Sequence, residues 1–201
     1  MYNNKAIKAY SNRGEWKMFQ SCGITGHRPT RFKFKYKENY SLCKKIKKRL
    51  SEQFELLYQK GVRRFYVGGA LGTDMWAGEI LLRLKERLKY NDIELIIALP
   101  FEGHDKNWDE RSKTRLDFLI RHSSETVTVG NNSVNVQESY KKRNYYIVDH
   151  ADVLVAVYDD DRNVRSGTGQ TVRYAMRKQI PVILIHPDTA TVISLPASAE
   201  L

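Results

Sequence analysis

The stretch Asp152-Val153-Leu154-Val155-Ala156-Val157-Tyr158-Asp159, followed by Ser166-Gly167-Thr168-Gly169-Gln170-Thr171 and then Val172-Arg173-Tyr174-Ala175-Met176, reads as a buried strand, a glycine-rich loop and the start of a helix. An apolar run without alternation suits a strand covered on both faces, the usual state of a parallel sheet. In an open α/β sheet, ligands bind where such a strand passes into its helix. The first amides of the helix have no intrahelical acceptor, and the helix dipole adds partial positive charge there. Phosphate is the ligand that fits both properties.

Five further apolar runs stand at 20–25, 64–67, 94–99, 126–129 and 181–185, most of them β-branched and bounded by Gly, Pro or Asp. Helical patterns lie between them. Leu42, Ile46, Leu50, Phe54, Leu57 and Tyr58 recur at three- and four-residue steps, and Gly61 supplies a stop. Further helices are predicted over 73–88, with Trp76, Ile80, Leu84 and Leu88 in register, and over 108–121, 136–148 and 168–178. Strands alternating with helices predict a single α/β domain, a mostly parallel sheet with helices on both faces, over residues 19–187. Residues 1–18 and 188–201 read as tails or edge elements.

The composition agrees with this class. A chain of 201 residues with 41% hydrophobic residues is the size of one domain and holds enough apolar mass for a core. No apolar run reaches the length of about 18 residues that a transmembrane helix needs, so no membrane partner is expected. The N-terminal segment is polar, carries Lys5, Lys8, Arg13 and Lys17, and lacks the apolar stretch of a signal peptide. A cytoplasmic location is the expectation. Cys22 and Cys43 have no metal spacing around them and read as buried or half-buried free thiols. Much of the net charge of +11 sits on Arg28, Arg31, Lys33, Lys35, Lys37, Lys44, Lys45, Lys47, Lys48 and Arg49. Interleaved Phe32, Phe34, Tyr36 and Tyr40 allow nucleic-acid contact. The favoured reading is a solvated helix face plus a basic loop near an anionic small ligand.

The strand ends carry the candidate site. The first ends in Thr25-Gly26-His27-Arg28-Pro29, where glycine admits a ligand close to the backbone and Arg28 can clamp an anion. The second ends in Gly68-Gly69-Ala70-Leu71-Gly72-Thr73-Asp74. This is a phosphate-cradling turn or a tight turn that must clear a neighbouring loop. It is neither the dinucleotide fingerprint nor a Walker loop. Asp74 caps the helix, binds a sugar hydroxyl or polarises a water. Phe101, after the third strand, stacks on a base or packs, and Trp108 belongs to the core or to a pocket wall. Asn144 and Asp149 read equally as ribose ligands or as surface and turn residues. Asp159-Asp160-Asp161 reads as a solvated loop rather than a metal site, with Asp159 the acid that faces a ligand. His122, His150 and His186 show no spacing that builds a metal site or a triad.

Taken in order, the signatures at 25–29, 68–76, 99–101, 143–149, 151–159 and 166–175 resemble the YpsA-like branch of the SLOG superfamily. That superfamily is named for the DNA-processing protein DprA (Smf) and the LOG phosphoribohydrolases. The resemblance covers about residues 20–186. It implies a Rossmann-like fold, a nucleotide-type ligand over the C-terminal strand edges, and a homodimer. Relatives elsewhere in the superfamily cleave cytokinin ribotides, bind single-stranded DNA or sense NAD-derived signals, and no reaction is established for the YpsA-like branch. The LOG hydrolases follow their glycine loop with glutamates, one of which serves N-glycosidic cleavage. Here Gln170, Thr171, Val172 and Arg173 stand in that region. Losing one such electrostatic partner costs about 10²–10³ in rate.

The leading expectation is therefore a nucleotide-binding or nucleotide-sensing protein whose ligand carries phosphate and ribose, NAD-derived or ADP-ribose-like. Gly167, Thr168, Gly169 and Gln170 bind phosphate through backbone N–H, and Thr171 adds a hydroxyl. Gly69, Gly72 and Asp74 line the opposite wall beside Gly68, with Gly26, His27 and Arg28 at the strand end and Phe101, Asn144 and Asp159 nearby. No cofactor is required beyond the nucleotide itself. One alternative is a nucleoside phosphate N-glycosidase using Asp74 and Asp159 as catalytic candidates. Another is a single-stranded nucleic-acid binder using the basic segment 28–49.

Overall fold

Parallel strands β3 (Ser21–Gly26), β4 (Arg64–Val67), β5 (Glu94–Leu99), β6 (Glu125–Thr128), β7 (Val153–Val157) and β8 (Val182–Ile185) form one sheet with β9 (Val192–Leu195), which runs antiparallel at its edge. The computed structural model describes residues 9–10, 16–17, 19–131, 135–160 and 164–197. Two short strands, β1 (Ala9–Tyr10) and β2 (Trp16–Lys17), pair antiparallel in a separate ribbon. The helices are α1 (Ser41–Gln59), α2 (Thr73–Lys85), α3 (Glu110–His122), α4 (Val136–Asp149) and α5 (Gly167–Arg177). The result is a single α/β domain with a largely parallel, mixed sheet flanked by helices, a Rossmann-like arrangement. β9 and the β1–β2 ribbon fall in the segments read from sequence as tails or edge elements.

The central strand shows why the sequence folds this way. All five residues of β7 are buried. Val153, Val155 and Val157 face a core that takes Ile46, Leu50 and Phe54 from α1, Met75 and Trp76 from α2, and Leu116 and Leu119 from α3. Leu154 and Ala156 face the other way, against Val148 of α4 and Val172 and Ala175 of α5. With a side-chain period of two and helices on both faces, every position of the strand is apolar.

One helix ends earlier than its periodicity predicts. α2 stops at Lys85, and a short 3-10 turn at Leu88–Tyr90 follows. Leu88, expected in the apolar stripe, is 90% exposed, and Tyr90 takes the core position at 1%. Tyr90 is anchored there by its hydroxyl, which donates to Glu55 Oε2 at 2.8 Å.

The strand order is β6-β5-β4-β3-β7-β8-β9. From β3 the chain winds outward to β6, then returns to place β7 on the other side of β3. The connections leaving β3 and β7 diverge, and a crevice opens between the carboxyl ends of these two strands. In open α/β sheets this switch point is where ligands bind.

Candidate functional site

The walls of the crevice are built by tight contacts between loops. At the end of β3, the amide of His27 donates to Val157 O of β7 at 3.1 Å. The carbonyl of His27 accepts from both the amide and the hydroxyl of Thr73, at 3.3 and 3.2 Å. That contact pins the start of α2 to the end of β3. Gly72 makes it passable: its φ is +91°, and a Cβ there would lie 2.7 Å from His27 O. Of the two readings of the Gly68–Gly72 turn, the geometry at Gly72 is that of a turn clearing a neighbouring loop.

The His27 ring is buried, and its Nε2 lies 3.1 Å from Asp159 Oδ1. Burial pulls its pKa below the ordinary imidazole value, and the Asp159 carboxylate pulls it back. Arg31 Nη2 reaches the second Asp159 oxygen at 3.5 Å. Asp159 thus organises the β3 exit from below.

A buried ion pair forms the floor. Arg143 of α4 donates from Nη1 to Asp74 Oδ2 of α2 at 3.1 Å, with side-chain exposures of 5% and 8%. Gly68 makes the space, since a Cβ there would sit 1.1 Å from Arg143 Nη1. Burial pushes the Asp74 carboxyl up, while the Arg143 charge, a hydrogen bond from the Ala70 backbone and the Arg28 charge push it down. Arg143 Nε is buried and has no hydrogen-bond partner. Above this pair, the Arg28 guanidinium lies 4.9 Å from the centre of the Tyr140 ring.

The opposite wall is the start of α5. Ser166 caps it, its hydroxyl accepting from the Gly169 amide at 3.0 Å. The Gln170 amide donates to Ser166 O at 3.0 Å, and the Thr171 hydroxyl donates back to Gly167 O at 2.7 Å. These bonds occupy Gly169, Gln170 and Thr171 within the helix. The amides of Gly167 and Thr168 have no partner among the described residues.

Between the walls lies a cavity of about 900 Å³. Of the residues singled out from sequence, it brings together Gly26, His27, Arg28, Asp74, Asn144, Gly167, Thr168 and Gln170. Gly68, Gly69 and Gly72 lie outside its lining, packed against Arg143, Leu116 and His27 respectively. Phe101 is also outside it, edge-on to Tyr140 and His104, as are Asp159, Gly169 and Thr171. Asp149 accepts from the Tyr174 hydroxyl and pairs with Lys178, and Trp108 packs partly buried against the main core. Cys22 and Cys43 are buried free thiols. Asp161 lies outside the described residues.

Of the face that α4 gives to the cavity, Gln137, Tyr140, Lys141 and Asn144 with Arg143 beneath, sequence reading singled out Asn144 as a ligand residue and missed Gln137, Tyr140 and Lys141. The spacing of the first four places them on one helical stripe. That signal was available, because a helix over 136–148 was expected. It showed as polar residues on a side that a purely solvent-facing reading leaves unremarked. Arg165 and Arg173 were missed as well. Among the described residues the cavity lining carries six cationic side chains and a single acid, Asp74. No group of three or more metal-ligating side chains occurs among the described residues, and no helix there is long and apolar enough to cross a membrane.

The family model described as the YspA SLOG family matches residues 22–190. UPF0398 proteins of Bacillus cereus and Bacillus thuringiensis are 24% and 23% identical over 139 residues, 69% of this chain and 74% of theirs. Two solved structures share the fold. One is DNA processing protein A from Helicobacter pylori, whose single-stranded DNA binding mode is described for that protein. The other is DNA processing protein A from Streptococcus pneumoniae. Each gives a TM-score of 0.53 at 17% identity, over 82% and 83% of this chain. This chain spans 64% and 50% of the lengths of those two proteins.

Proposed function

Since the chain belongs to the YspA SLOG family, we propose that it binds a nucleotide-type ligand carrying phosphate and ribose, of the NAD-derived or ADP-ribose-like kind, in the cavity at the β3–β7 switch point. The observation that carries this reading is the opening of α5. Two adjacent amides, Gly167 and Thr168, stand without partners among the described residues at the positive end of the helix and line a cavity rich in cations. The phosphate sits on those amides with Arg165 beside it. Asn144, whose Nδ2 lies 3.7 Å from where a Cβ on Gly167 would stand, meets a ribose hydroxyl in this reading.

Binding is favoured over cleavage. Hydrolysis of an N-glycosidic bond needs a carboxylate free to stabilise an oxocarbenium ion or to activate water. Asp74 is the one acid among the described lining residues, and Arg143 holds it. The second reading, an N-glycosidase, rests on Asp74 alone, a buried carboxyl pushed upward beside a ligand cavity. Base release from nucleoside monophosphates that disappears in Asp74→Asn would establish that reading.

The test of binding is calorimetric titration with adenine and guanine nucleotides and ADP-ribose. Affinity tighter than about 1 mM, or roughly −4 kcal/mol, is expected for at least one. The matching variant is Gly167→Asp. Among the described residues a Cβ at Gly167 meets only Asn144 Nδ2, at 3.7 Å, which is ordinary contact. A carboxylate at the helix start interacts favourably with the dipole while occupying the phosphate's place. Unchanged or raised thermal stability with lost nucleotide binding is the expected result. Binding that survives in Gly167→Asp sinks the reading.

A further inference from the structure

We infer that the cavity holds two separated anion subsites and selects nucleotides with at least two phosphates over monophosphates. This rests on the proposed nucleotide reading and adds to it a second site, on the wall facing α5. There, two guanidiniums converge on one ring: Arg28 lies 4.9 Å and Arg143 5.8 Å from the centre of Tyr140. Asp74 is the sole carboxylate beside them among the described lining residues, and it engages Arg143 through Nη1 alone. Arg143 lines the cavity, its side chain is 5% exposed, and its Nε is buried without a partner. A buried guanidinium with an unused donor, next to a second guanidinium, is an arrangement an anion completes.

The charge count points the same way. Arg28, Arg31, Lys141, Arg143, Arg165 and Arg173 line the cavity against Asp74. Arg31 shares Asp159 with His27, and Lys141 lies 3.6 Å from Glu138. Arg28 and Arg165 make no salt bridge among the described residues, although the Arg28 charge is felt by Asp74, and they stand on different walls. One phosphate carries about −1.5 to −2 charges. Placed on the α5 amides beside Arg165, it leaves Arg28 and Arg143 across the cavity with Asp74 alone between them: one net positive charge and the unused Nε of Arg143 remain. A second phosphate fills that place, either directly linked to the first, as in a nucleoside diphosphate, or at the far side of the ribose, as in a 3′,5′-bisphosphate.

The experiment titrates the full chain with AMP, ADP and adenosine 3′,5′-bisphosphate at one ionic strength. A charge-assisted contact predicts that at least one of the two bisphosphorylated ligands binds about 10–100-fold tighter than AMP, and which one tells how the phosphates are linked. In Arg28→Ala that advantage over AMP shrinks to within about threefold. In Arg165→Ala both affinities fall together and the advantage is kept. Melting curves without ligand establish that both variants fold. Equal binding of all three ligands, or an advantage that survives in Arg28→Ala, overturns the second subsite and leaves the nucleotide reading standing. No binding by any of the three overturns both.

Discussion

At Gly68 the absence of one methyl group decides the floor of the site. A Cβ there would overlap the Arg143 guanidinium at 1.1 Å and press on Asp74 Oδ2 at 2.6 Å. Gly68→Ala is expected to displace Arg143 and to cost about 3–5 kcal/mol in urea unfolding, with nucleotide binding lost alongside. Arg143→Ala leaves the Asp74 carboxylate buried and unpaired, and a similar loss of about 3–5 kcal/mol is expected. Replacing both partners, Arg143→Met with Asp74→Leu, removes the desolvation problem and should cost less than Arg143→Ala alone. A double variant less stable than that single one would show that the pair is not the energetic unit. The sequence marked Gly68 and Asp74 as notable. It did not connect them to Arg143, because the reason for the glycine lies on a distant helix.

At the scale of elements, one arginine ties three segments together. Arg115 of α3 holds Glu38, in the loop before α1, at 2.7 Å and Glu79 of α2 at 2.7 Å. Lys47 of α1 holds Glu38 from the other side at 2.5 Å. Burial by itself raises the Glu38 carboxyl, but the hydrogen bonds from Arg115 and Lys47 outweigh it and bring its pKa down to about 2. A carboxyl lowered on folding stabilises the protein above its unfolded pKa, and that stability drains away as pH falls through the folded value. Here the window runs from about 4.5 down to about 2. With the side chain 30% exposed, roughly 1–2 kcal/mol is expected, allowing for solvent screening. Glu38→Gln should flatten the stability profile across that window in urea titrations. The helices and strands themselves were legible from periodicity, β4 and β5 to the residue. The clamp was not, because ion pairs between elements leave no spacing in a chain.

Across the whole molecule, charge and topology act separately. The net charge of +11 attracts any polyanion, and of the four interleaved aromatics Tyr36 and Tyr40 stay exposed, at 63% and 56%, but Phe32 and Phe34 are 2% and 4% exposed. Their rings lie 5.1 and 6.1 Å from Trp76, inside the core. Single-stranded oligonucleotide binding is therefore expected to run mainly on charge, with stacking limited to Tyr36 and Tyr40. In fluorescence anisotropy its affinity should fall by about 10³-fold or more between 50 and 200 mM salt, the behaviour of several phosphate contacts. Binding insensitive to salt would contradict this. Phe34→Leu should lower stability while leaving the salt slope unchanged.

The sequence by itself determined the α/β class, the parallel strands and the strand ends as the place to look, because hydrophobic periodicity and glycine punctuation are local and survive in one dimension. It also singled out the α5 start, whose first amides lack intrahelical acceptors by backbone geometry alone. Only the tertiary structure decided which of those residues share a cavity. The winding that sets β7 beside β3 brings Arg28, Asp74, the α4 stripe and α5 together and leaves Gly68, Gly69, Gly72 and Phe101 to packing. A glycine that admits a phosphate and one that admits an arginine look alike in the chain. What distinguishes them is the neighbour that fills the space of the missing Cβ, and folding alone supplies that neighbour.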